Sequence, residues 1–390
     1  MGAPTVAAAG LRRARVAVAA AFLVNGAVVA DWVPRVPAVK HALGLRDGPL
    51  GLALLGMGVG AATALLVAGR LVARFGSRPV VRVAGVAHCA SLLGPALAVD
   101  LPSLAAALFL LGAAGGAFDV AMNAHGSLVE RTAGRPLMTG FHSLFSAGGL
   151  LGAVAGGLAA AAGWSPLRHF AVAAGALGVL LAVTSAWLLP AAADVARRRP
   201  GAAGRRAPVP WTRPLLLLGV VGLSSVVGEG AAHDWSAVYL HDSLGTSAGF
   251  AAAGFAAFSL AMTAVRVVGD RLQTRLGAVR LVRASGLVAA AGFGLGLLAG
   301  HPLAGVAGFA LLGAGLACVV PVAFSAAGNL GGPAGVNIAR VAAVSYLPFF
   351  LAPPLIGFVA DQVGLPLALG IPVLFALAVA AGAGGVASAA

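Results

Sequence analysis

Two carboxylates lie inside long apolar stretches of the chain, where an ionisable side chain is costly and by default points to a functional site. These residues are Asp119 and Glu229. His233 follows Glu229 by one helical turn, and His142 lies in the next apolar stretch after Asp119. A carboxylate can bind and release a proton or a cation, and an imidazole exchanges protons near neutral pH. We therefore predict that Asp119 and Glu229 couple a conformational cycle to protons, with His233 and His142 as relays.

Helical spacing gathers further polar residues around these carboxylates. Residues at i, i+4, i+7 and i+11 share one helix face, and this spacing joins Asp119 to Asn123, Gly126 and Glu130. Polar faces of this kind favour a water-filled cavity that binds a small molecule. The residues predicted to line it are Asn25, Trp32, Asn123, Ser146, Ser225 and Trp235.

Several of these residues also admit a purely structural interpretation. Asn123 could hydrogen-bond a neighbouring helix, and Glu229 could bind the substrate directly or cap a helix broken at Gly228 and Gly230. Tryptophans near the ends of apolar stretches commonly anchor helices at the membrane surface. That interpretation stays open for both candidate tryptophans.

The elements that position these side chains must be membrane-spanning helices. Of the 390 residues, 60% are hydrophobic and only 9% are charged, whereas a soluble domain carries about 25% charged residues. A helix needs roughly 20 mostly apolar residues to cross a bilayer. We therefore predict an all-α membrane protein, embedded in a lipid bilayer, with twelve transmembrane helices at 16–36, 48–69, 80–99, 103–127, 138–162, 167–189, 214–240, 246–269, 279–299, 302–326, 337–360 and 365–388.

The twelve spans divide into two groups of six. Residues 190–213 are rich in Pro, Gly and Arg, which predicts a cytosolic linker between an N-terminal six-helix bundle at 1–189 and a C-terminal one at 214–390. With both termini in the cytosol, all but four of the 25 Lys and Arg residues fall on the cytoplasmic side, as the positive-inside rule requires. The predicted location is the bacterial cytoplasmic (inner) membrane. The four exceptions are Arg35, Lys40, Arg46 and Arg168.

An internal repeat relates the two groups of helices. A shift of 201 residues places Arg70 on Arg271, and a shift of 203 places Asp31-Trp32 on Asp234-Trp235. Two parallel six-helix repeats are an architecture of secondary transporters, whose substrate site lies at the repeat interface. The repeat therefore predicts a transporter with alternating access.

The loop after the second span resembles a signature of the major facilitator superfamily, which has the form G-x-L-a-D-r-x-G. Residues 69–76 match it, except that Ala73 replaces the usual aspartate, as Thr274 does in the second copy. The two six-span halves and the basic central linker extend this resemblance over the whole chain. The resemblance implies the twelve-helix fold and the transport function of that superfamily.

Longer strings are similar to the YbjJ-like bacterial branch of the superfamily. They begin at Trp32, Asp119, Gly134 and Glu229, and each combines charged or aromatic residues with glycine or proline. This resemblance implies a fold and a class of protein, and implies little about the substrate.

Charged residues in the cytoplasmic loops suggest a gate. We predict that Glu130 pairs with Arg70, Arg74 or Arg131 and so compensates for the missing aspartate. In the second half, Asp270 is predicted to serve Arg271 or Arg275 in the same way. The alternative is that these arginines act only as positive-inside anchors. The predicted gate residues are Arg70, Arg74, Gly76, Glu130, Arg131, Asp270, Arg271, Arg275 and Gly277.

The sequence contains no nucleotide-binding loop, zinc motif or nucleophile elbow. We therefore predict a protein that is not an enzyme, with no cofactor, no metal and no nucleic-acid partner. The predicted function is secondary active transport of a small organic solute, either sugar-like or an exported amphiphile, coupled to protons as symport or antiport. Sodium coupling, uniport and the oligomeric state stay open. The alternative function is a transport-inactive membrane sensor or scaffold that keeps the transporter fold.

Overall fold

A computed structural model describes residues 8–134, 137–190, 212–330 and 334–389 of the chain, and these residues are almost entirely helical. Twelve helical stretches are long and apolar enough to cross a membrane, and each overlaps one predicted span. The prediction of an all-α membrane protein with twelve spans is confirmed. The stretches are Ala9–Ala42, Asp47–Phe75, Ser77–Leu97, Leu101–Ala133, Gly140–Ala161, Pro166–Ser185, Arg213–Ser243, Ala248–Gly269, Ala278–Leu298, Pro302–Ala327, Arg340–Val363 and Leu365–Val386.

The described residues between 8 and 190 form eight helices, of which two are short. A single 3-10 turn, Val33–Arg35, joins the first helix to the second. The helices are α1 (Ala8–Trp32), α2 (Val36–Ala42), α3 (Asp47–Phe75), α4 (Ser77–Ser91), α5 (Gly94–Leu97), α6 (Leu101–Ala133), α7 (Met138–Ala161) and α8 (Pro166–Ser185).

Residues 212–330 and 334–389 form nine further helices. A π-helical turn, Tyr239–Ser243, extends the first of them, and a 3-10 segment, Ala383–Ala389, follows the last. The helices are α9 (Arg213–Val238), α10 (Ala248–Leu276), α11 (Ala278–Leu298), α12 (Pro302–Leu316), α13 (Val319–Asn329), α14 (Ala334–Ser345), α15 (Pro348–Val363), α16 (Leu365–Ala368) and α17 (Gly370–Gly382).

The chain divides into two compact units. Unit 1 comprises Met1–Leu43 and Gly56–Ala203, and unit 2 comprises Gly44–Leu55 and Gly204–Ala390. The start of α3 therefore belongs to unit 2, and the rest of α3 belongs to unit 1. Most of the predicted linker at 190–213 lies outside the described residues, so the predicted bundle boundaries stay a prediction.

Small residues allow the helices of unit 1 to pack at very short distances. Gly148 and Gly152 on α7 lie against the main chain of Leu23 and Ala27 on α1, where a Cβ atom would collide with a carbonyl oxygen. Close backbone approach of this kind is how helices associate in lipid, where apolar burial between helices gives little driving force. Alpha helices 1 and 7 are accordingly packed together along much of their length.

Unit 2 is built in the same manner around α9, which contacts α10, α14 and α17. Gly313 on α12 lies against the Phe258 carbonyl of α10, again with no room for a side chain. On the outer faces of both units, apolar side chains are exposed: Leu66 by 73%, Val83 by 72% and Leu298 by 85%. Exposed apolar surface of this kind suits contact with lipid.

Two glycines show that the internal repeat extends to backbone geometry. Gly76 has φ 83° and ψ 163°, and Gly277, at the matching position, has φ 75° and ψ 155°. Side chains with a Cβ atom rarely adopt this conformation, so glycine is needed to turn the chain between two antiparallel spans. Both loops of the predicted gate therefore have the same local fold.

The repeat also matches two helix caps that differ chemically. Asp100 caps α6, where its Oδ1 accepts hydrogen bonds from the Ser103 hydroxyl at 2.5 Å and the Ser103 N–H at 2.9 Å. These two bonds lower the pKa of the Asp100 carboxyl from its ordinary value. At the matching position His301 caps α12 through one longer bond, from the Leu303 N–H to Nδ1 at 3.3 Å.

Candidate functional site

Three of the predicted residues meet in unit 1 and form what we call the asparagine cluster: Asn25 on α1 with Asp119 and Asn123 on α6. The Asp119 Oδ1 atom accepts from the Asn25 Nδ2 atom at 3.5 Å and from the Asn123 Nδ2 atom at 3.2 Å. The Oδ1 atom of Asn25 is buried and has no hydrogen-bond partner among the described residues. Buried polar atoms are normally satisfied, so this cluster has capacity to bind one more donor.

Local sequence explains how the asparagine cluster forms. Asp119 and Asn123 are four residues apart on α6, and the Asn123 amide also donates to the Asp119 carbonyl at 2.9 Å. The neighbour of Asn25, Gly26, lies against the Phe145 main chain of α7 without a side chain between them. That close packing fixes α1, and Asn25 then faces α6.

Unit 2 contains a second carboxylate inside a membrane-spanning helix, in what we call the glutamate cluster: Ser225, Glu229 and Arg266. The Ser225 hydroxyl donates to Glu229 Oε1 at 3.4 Å. Arg266 on α10 interacts electrostatically with Glu229, and its Nε atom donates to the Ala317 carbonyl at 3.2 Å. Glu229 therefore has a cation nearby, whereas Asp119 is held by neutral amides.

The predicted relay histidines occupy different surroundings. His233 Nδ1 lies 2.8 Å from Asp234 Oδ1, and its ring packs edge-on against Phe255 with centroids 5.5 Å apart. It thus bonds to Asp234 rather than to Glu229. His142 is exposed and packs edge-on against Phe22 at 5.0 Å.

The remaining predicted cavity residues are mostly buried. Trp32 and Trp235 are fully buried, and neither indole N–H has a partner among the described residues. Ser146 donates to the His142 carbonyl at 3.3 Å, one turn earlier on α7. Because no part of either ring is exposed, neither tryptophan can contact lipid in this conformation.

The contacts of Glu130 follow the gate prediction only in part, because its carboxylate interacts electrostatically with Arg131 but makes its hydrogen bonds elsewhere. Its Oε2 atom accepts from the backbone N–H groups of Leu137 at 2.6 Å and Met138 at 2.8 Å, and so caps the start of α7. Arg131 donates to the Ser127 hydroxyl at 2.7 Å on its own helix. Within the described residues the hydrogen bonds of Glu130 go to the main chain, because unpaired N–H groups at a helix start attract a carboxylate.

The other gate arginines lie at exposed helix ends. Arg74 extends over the Phe75 ring at 5.3 Å, and Arg70 is exposed one turn earlier. Arg271 and Arg275 are exposed at the matching end of α10. The side chain of Asp270 lies outside the described residues.

Sequence reasoning missed Arg266 and His169. Arg266 was counted only among the positive charges near the cytoplasmic side, although its position inside a predicted span at 246–269 could have marked it as a functional candidate. His169 lies 3.1 Å from Asp31, 138 residues away in the chain. No local spacing predicts that pair, because its two members meet only through packing of α1 on α8.

Comparison with known proteins gives a consistent result. The family model of the Major Facilitator Superfamily matches residues 18–336. An uncharacterized transporter, y4wD, of Sinorhizobium fredii is 41% identical over 93% of this chain and 95% of its own length. An uncharacterized MFS-type transporter of Yersinia pestis is 35% identical over 93% of each chain, and the membrane protein MosC of Rhizobium meliloti is 32% identical.

Solved structures share the fold at low sequence identity. The nucleoside transporter NupG (D323A mutant) superposes with a TM-score of 0.76 at 11% identity, covering 96% of this chain and 99% of that one. A D-xylose-proton symporter gives 0.74 at 12% identity, covering 95% and 96%. At this identity the likeness shows the fold alone. The placement in the YbjJ-like branch stays a prediction.

Proposed function

The chain belongs to the major facilitator superfamily, and from this premise we propose that it is a proton-coupled secondary transporter of a small, hydroxyl-bearing organic solute. It is a multi-pass membrane transporter and not an enzyme. The proposal adds the coupling ion, the solute class and the residues that act on them.

The asparagine cluster is the observation that carries the proposal. Solute hydroxyls both donate and accept hydrogen bonds, and amide and carboxylate side chains together offer both functions. Asn25 has a buried acceptor without a partner among the described residues, and Asp119 brings a carboxylate to the same place. A solute hydroxyl donating to Asn25 Oδ1 would satisfy that atom.

Coupling follows from the two carboxylates. Asp119 has neutral partners, so its charge is balanced by a bound proton or cation, and Glu229 has Arg266 nearby. We assign Asp119 and Glu229 to proton binding during an alternating-access cycle. His233, on the same helix as Glu229, and His142, on the helix after that of Asp119, are the proposed proton relays. The proposal also includes a location in the bacterial inner membrane with both termini in the cytosol, which the distribution of basic residues supports.

The first experiment identifies the solute. Purified protein is melted in the presence of a library of pentoses, hexoses, nucleosides and amphiphilic cations, since a solute that binds the folded state raises the unfolding temperature. A stabilising solute is then followed into proteoliposomes with and without an inward proton gradient. We expect a hydroxylated solute to accumulate only with the gradient.

Asp119→Asn is the decisive variant, with Asp100→Asn as its matched control. Both remove one carboxylate charge, but asparagine is as good a helix cap as aspartate, so the control retains uptake. We expect Asp119→Asn to lose proton-driven accumulation. Uptake that is unchanged in Asp119→Asn, or independent of the gradient in the native protein, contradicts proton coupling at Asp119. If no solute binds, the sensor or scaffold alternative is favoured.

A further inference from the structure

A buried carboxylate and a buried imidazole lie together at the end of α1, away from the clusters to which the proposed function refers. Asp31 is 2% exposed and His169 is 3% exposed. The Nε2 atom of His169 lies 3.1 Å from Oδ1 of Asp31. Two ionisable side chains this deeply buried are seldom kept in a membrane helix without a function.

Local packing determines the position of both groups. Asp31 lies in the last turn of α1, and His169 lies in the first turn of α8, which begins where Ser165 caps it with a bond of 3.2 Å from the Arg168 N–H. On α7, Gly156 leaves space for the imidazole. A Cβ atom at Gly156 would lie 2.9 Å from Pro34 Cγ and 3.3 Å from His169 Cε1.

One ring nitrogen of His169 is satisfied and the other is not. Nε2 faces the Asp31 carboxylate, which fixes the neutral tautomer with its hydrogen on Nε2. Nδ1 is buried and has no partner among the described residues. The neutral ring thus keeps a lone pair on Nδ1 that can accept a proton, and the carboxylate opposite is already placed to pair with the resulting imidazolium.

The arginines nearest to the Asp31–His169 pair have other partners. Arg35, on the turn after α1, donates to the Trp164 carbonyl, and Arg168 stacks over the Trp164 ring at 4.3 Å. The neighbouring elements carry the following ionisable groups: Lys40 on α2; Arg78, Arg82, His88 and Cys89 on α4; Asp119, His125, Glu130 and Arg131 on α6; and His142 on α7. Arg78 and Arg82 donate to carbonyls at the opposite end of α8.

We propose that Asp31 and His169 form a separate proton-binding site, in which Nδ1 of His169 takes up a proton. The proton comes from a hydronium ion, whose O–H bond breaks to leave water as the N–H bond forms at Nδ1. The existing hydrogen bond to Asp31 then becomes an ion pair between α1 and α8. The site binds a proton whether or not a solute is present. The inference goes beyond the proposed function, and it holds or fails independently of transport.

The test follows the histidine rings directly. The full-length protein, with ¹³C-labelled histidine, is titrated in detergent from pH 5 to 9, and the His169 signal is assigned by its loss in His169→Gln. We expect that signal to change with pH, and Asp31→Asn to lower its midpoint by about one pH unit, because the lost carboxylate no longer favours the charged imidazole. Asp234→Asn, which removes the carboxylate from the other Asp-Trp dipeptide, is the matched control and leaves the midpoint unchanged.

A His169 signal that stays constant from pH 5 to 9 overturns the proposal. A midpoint that is the same in Asp31→Asn and the native protein overturns the pairing with Asp31. If Asp31→Asn does not fold, Gly156→Ala replaces it, because its methyl group meets the His169 ring without removing an ionisable group. An unmoved midpoint in Gly156→Ala then counts against a proton site at this packed position.

Discussion

The asparagine cluster of unit 1 and the glutamate cluster of unit 2 differ in the groups that surround a carboxylate. Each holds a carboxylate within a membrane-spanning helix. Asp119 receives two amide hydrogen bonds and has no described cation as a partner, whereas Glu229 has one hydroxyl bond and the electrostatic interaction with Arg266. The carboxylate in unit 2 therefore has a cation nearby within the protein, and the carboxylate in unit 1 has none among the described residues.

The two carboxylates are not copies of one ancestral site. A shift of 201 residues places Asp119 on Val320, and a shift of 203 places Glu229 on Gly26. Gly26 lies against the main chain of α7 and has no space for a side chain. The repeat therefore preserves helices, turns and caps while each half has acquired its own polar residues.

The largest expected effect comes from removing the charge of Glu229. Glu229→Gln is expected to reduce concentrative uptake at least about tenfold, because a group that cannot release a proton cannot drive accumulation. Exchange of solute across the membrane is expected to persist. Uptake and counterflow in proteoliposomes measure both, and Glu229→Asp, which keeps a carboxylate, is the control.

A Glu229→Gln variant that still accumulates solute with unchanged pH dependence removes Glu229 from the mechanism. Loss of exchange together with accumulation instead indicates that Glu229 binds the solute directly. In that case the two carboxylates would have different roles: Asp119 alone would bind the proton, and Glu229 would bind the solute.

The second prediction tests whether Arg266 balances Glu229. Glu229→Gln leaves Arg266 without its counter-charge, so it is expected to destabilise the protein, and Arg266→Gln is expected to restore part of that loss. Since Arg266 is exposed, the coupling should be about 0.5–1 kcal/mol, near the low end for interacting neighbours. Thermal melts of both single variants and the double variant form the cycle. Additive effects would show that Arg266 does not compensate the charge of Glu229, so that the carboxylate of unit 2 has no more of a counter-charge than that of unit 1.

Helix number, helix class and the repeat could be predicted from the sequence because each depends on local pattern. Apolar run length predicted the twelve spans. The repeat aligned Gly76 with Gly277, and the structure shows that these two glycines have similar backbone conformations. The grouping of Asp119 with Asn123 was also predictable, since four residues make one helical turn.

Contacts between helices could not be predicted in this way. Asn25 was assigned to a cavity, but its hydrogen bond to Asp119 depends on how α1 packs on α6. His233 shares a helix face with Glu229, yet its ring bonds to Asp234, because rotamer choice decides between neighbours. Glu130 interacts electrostatically with Arg131, one of its predicted partners, but the hydrogen bonds of its carboxylate come from the N–H groups at the start of α7, which the sequence did not predict.

The third prediction compares the two amides that hold Asp119. Asn123→Ala is expected to lower the free energy of unfolding by about 1 kcal/mol, and Asn25→Ala by about 0.5 kcal/mol, in the range of hydrogen bonds between membrane helices. The order follows from the bond lengths, 3.2 Å for Asn123 and 3.5 Å for Asn25. Denaturation in detergent measures the difference, and Ser146→Ala, one residue of the same predicted cavity on α7, is the control. A larger loss for Asn25→Ala would mean that its unpartnered Oδ1 atom is satisfied in solution.

The smallest expected effect comes from exchanging the residues that cap matching helices in the two units, Asp100 and His301. Asp100 accepts two hydrogen bonds from Ser103, and His301 accepts one from Leu303. Aspartate is a strong N-cap and its charge also suits the helix start. His301→Asp is therefore expected to raise the unfolding temperature slightly at pH 7, and Asp100→His to lower it.

Acid should erase the advantage of the Asp100 cap. Its pKa is lowered in the folded protein by the hydrogen bonds from Ser103, so its carboxylate stabilises the fold above the unfolded pKa of about 3.9. That contribution is lost as the pH falls through the lower, folded pKa. Melts of the native protein and Asp100→Asn at pH 6 and pH 3 measure it, because asparagine caps without titrating. A difference between the two proteins that is equal at both pH values would show that the charge of Asp100 adds nothing, and that the caps of the two units differ only in geometry.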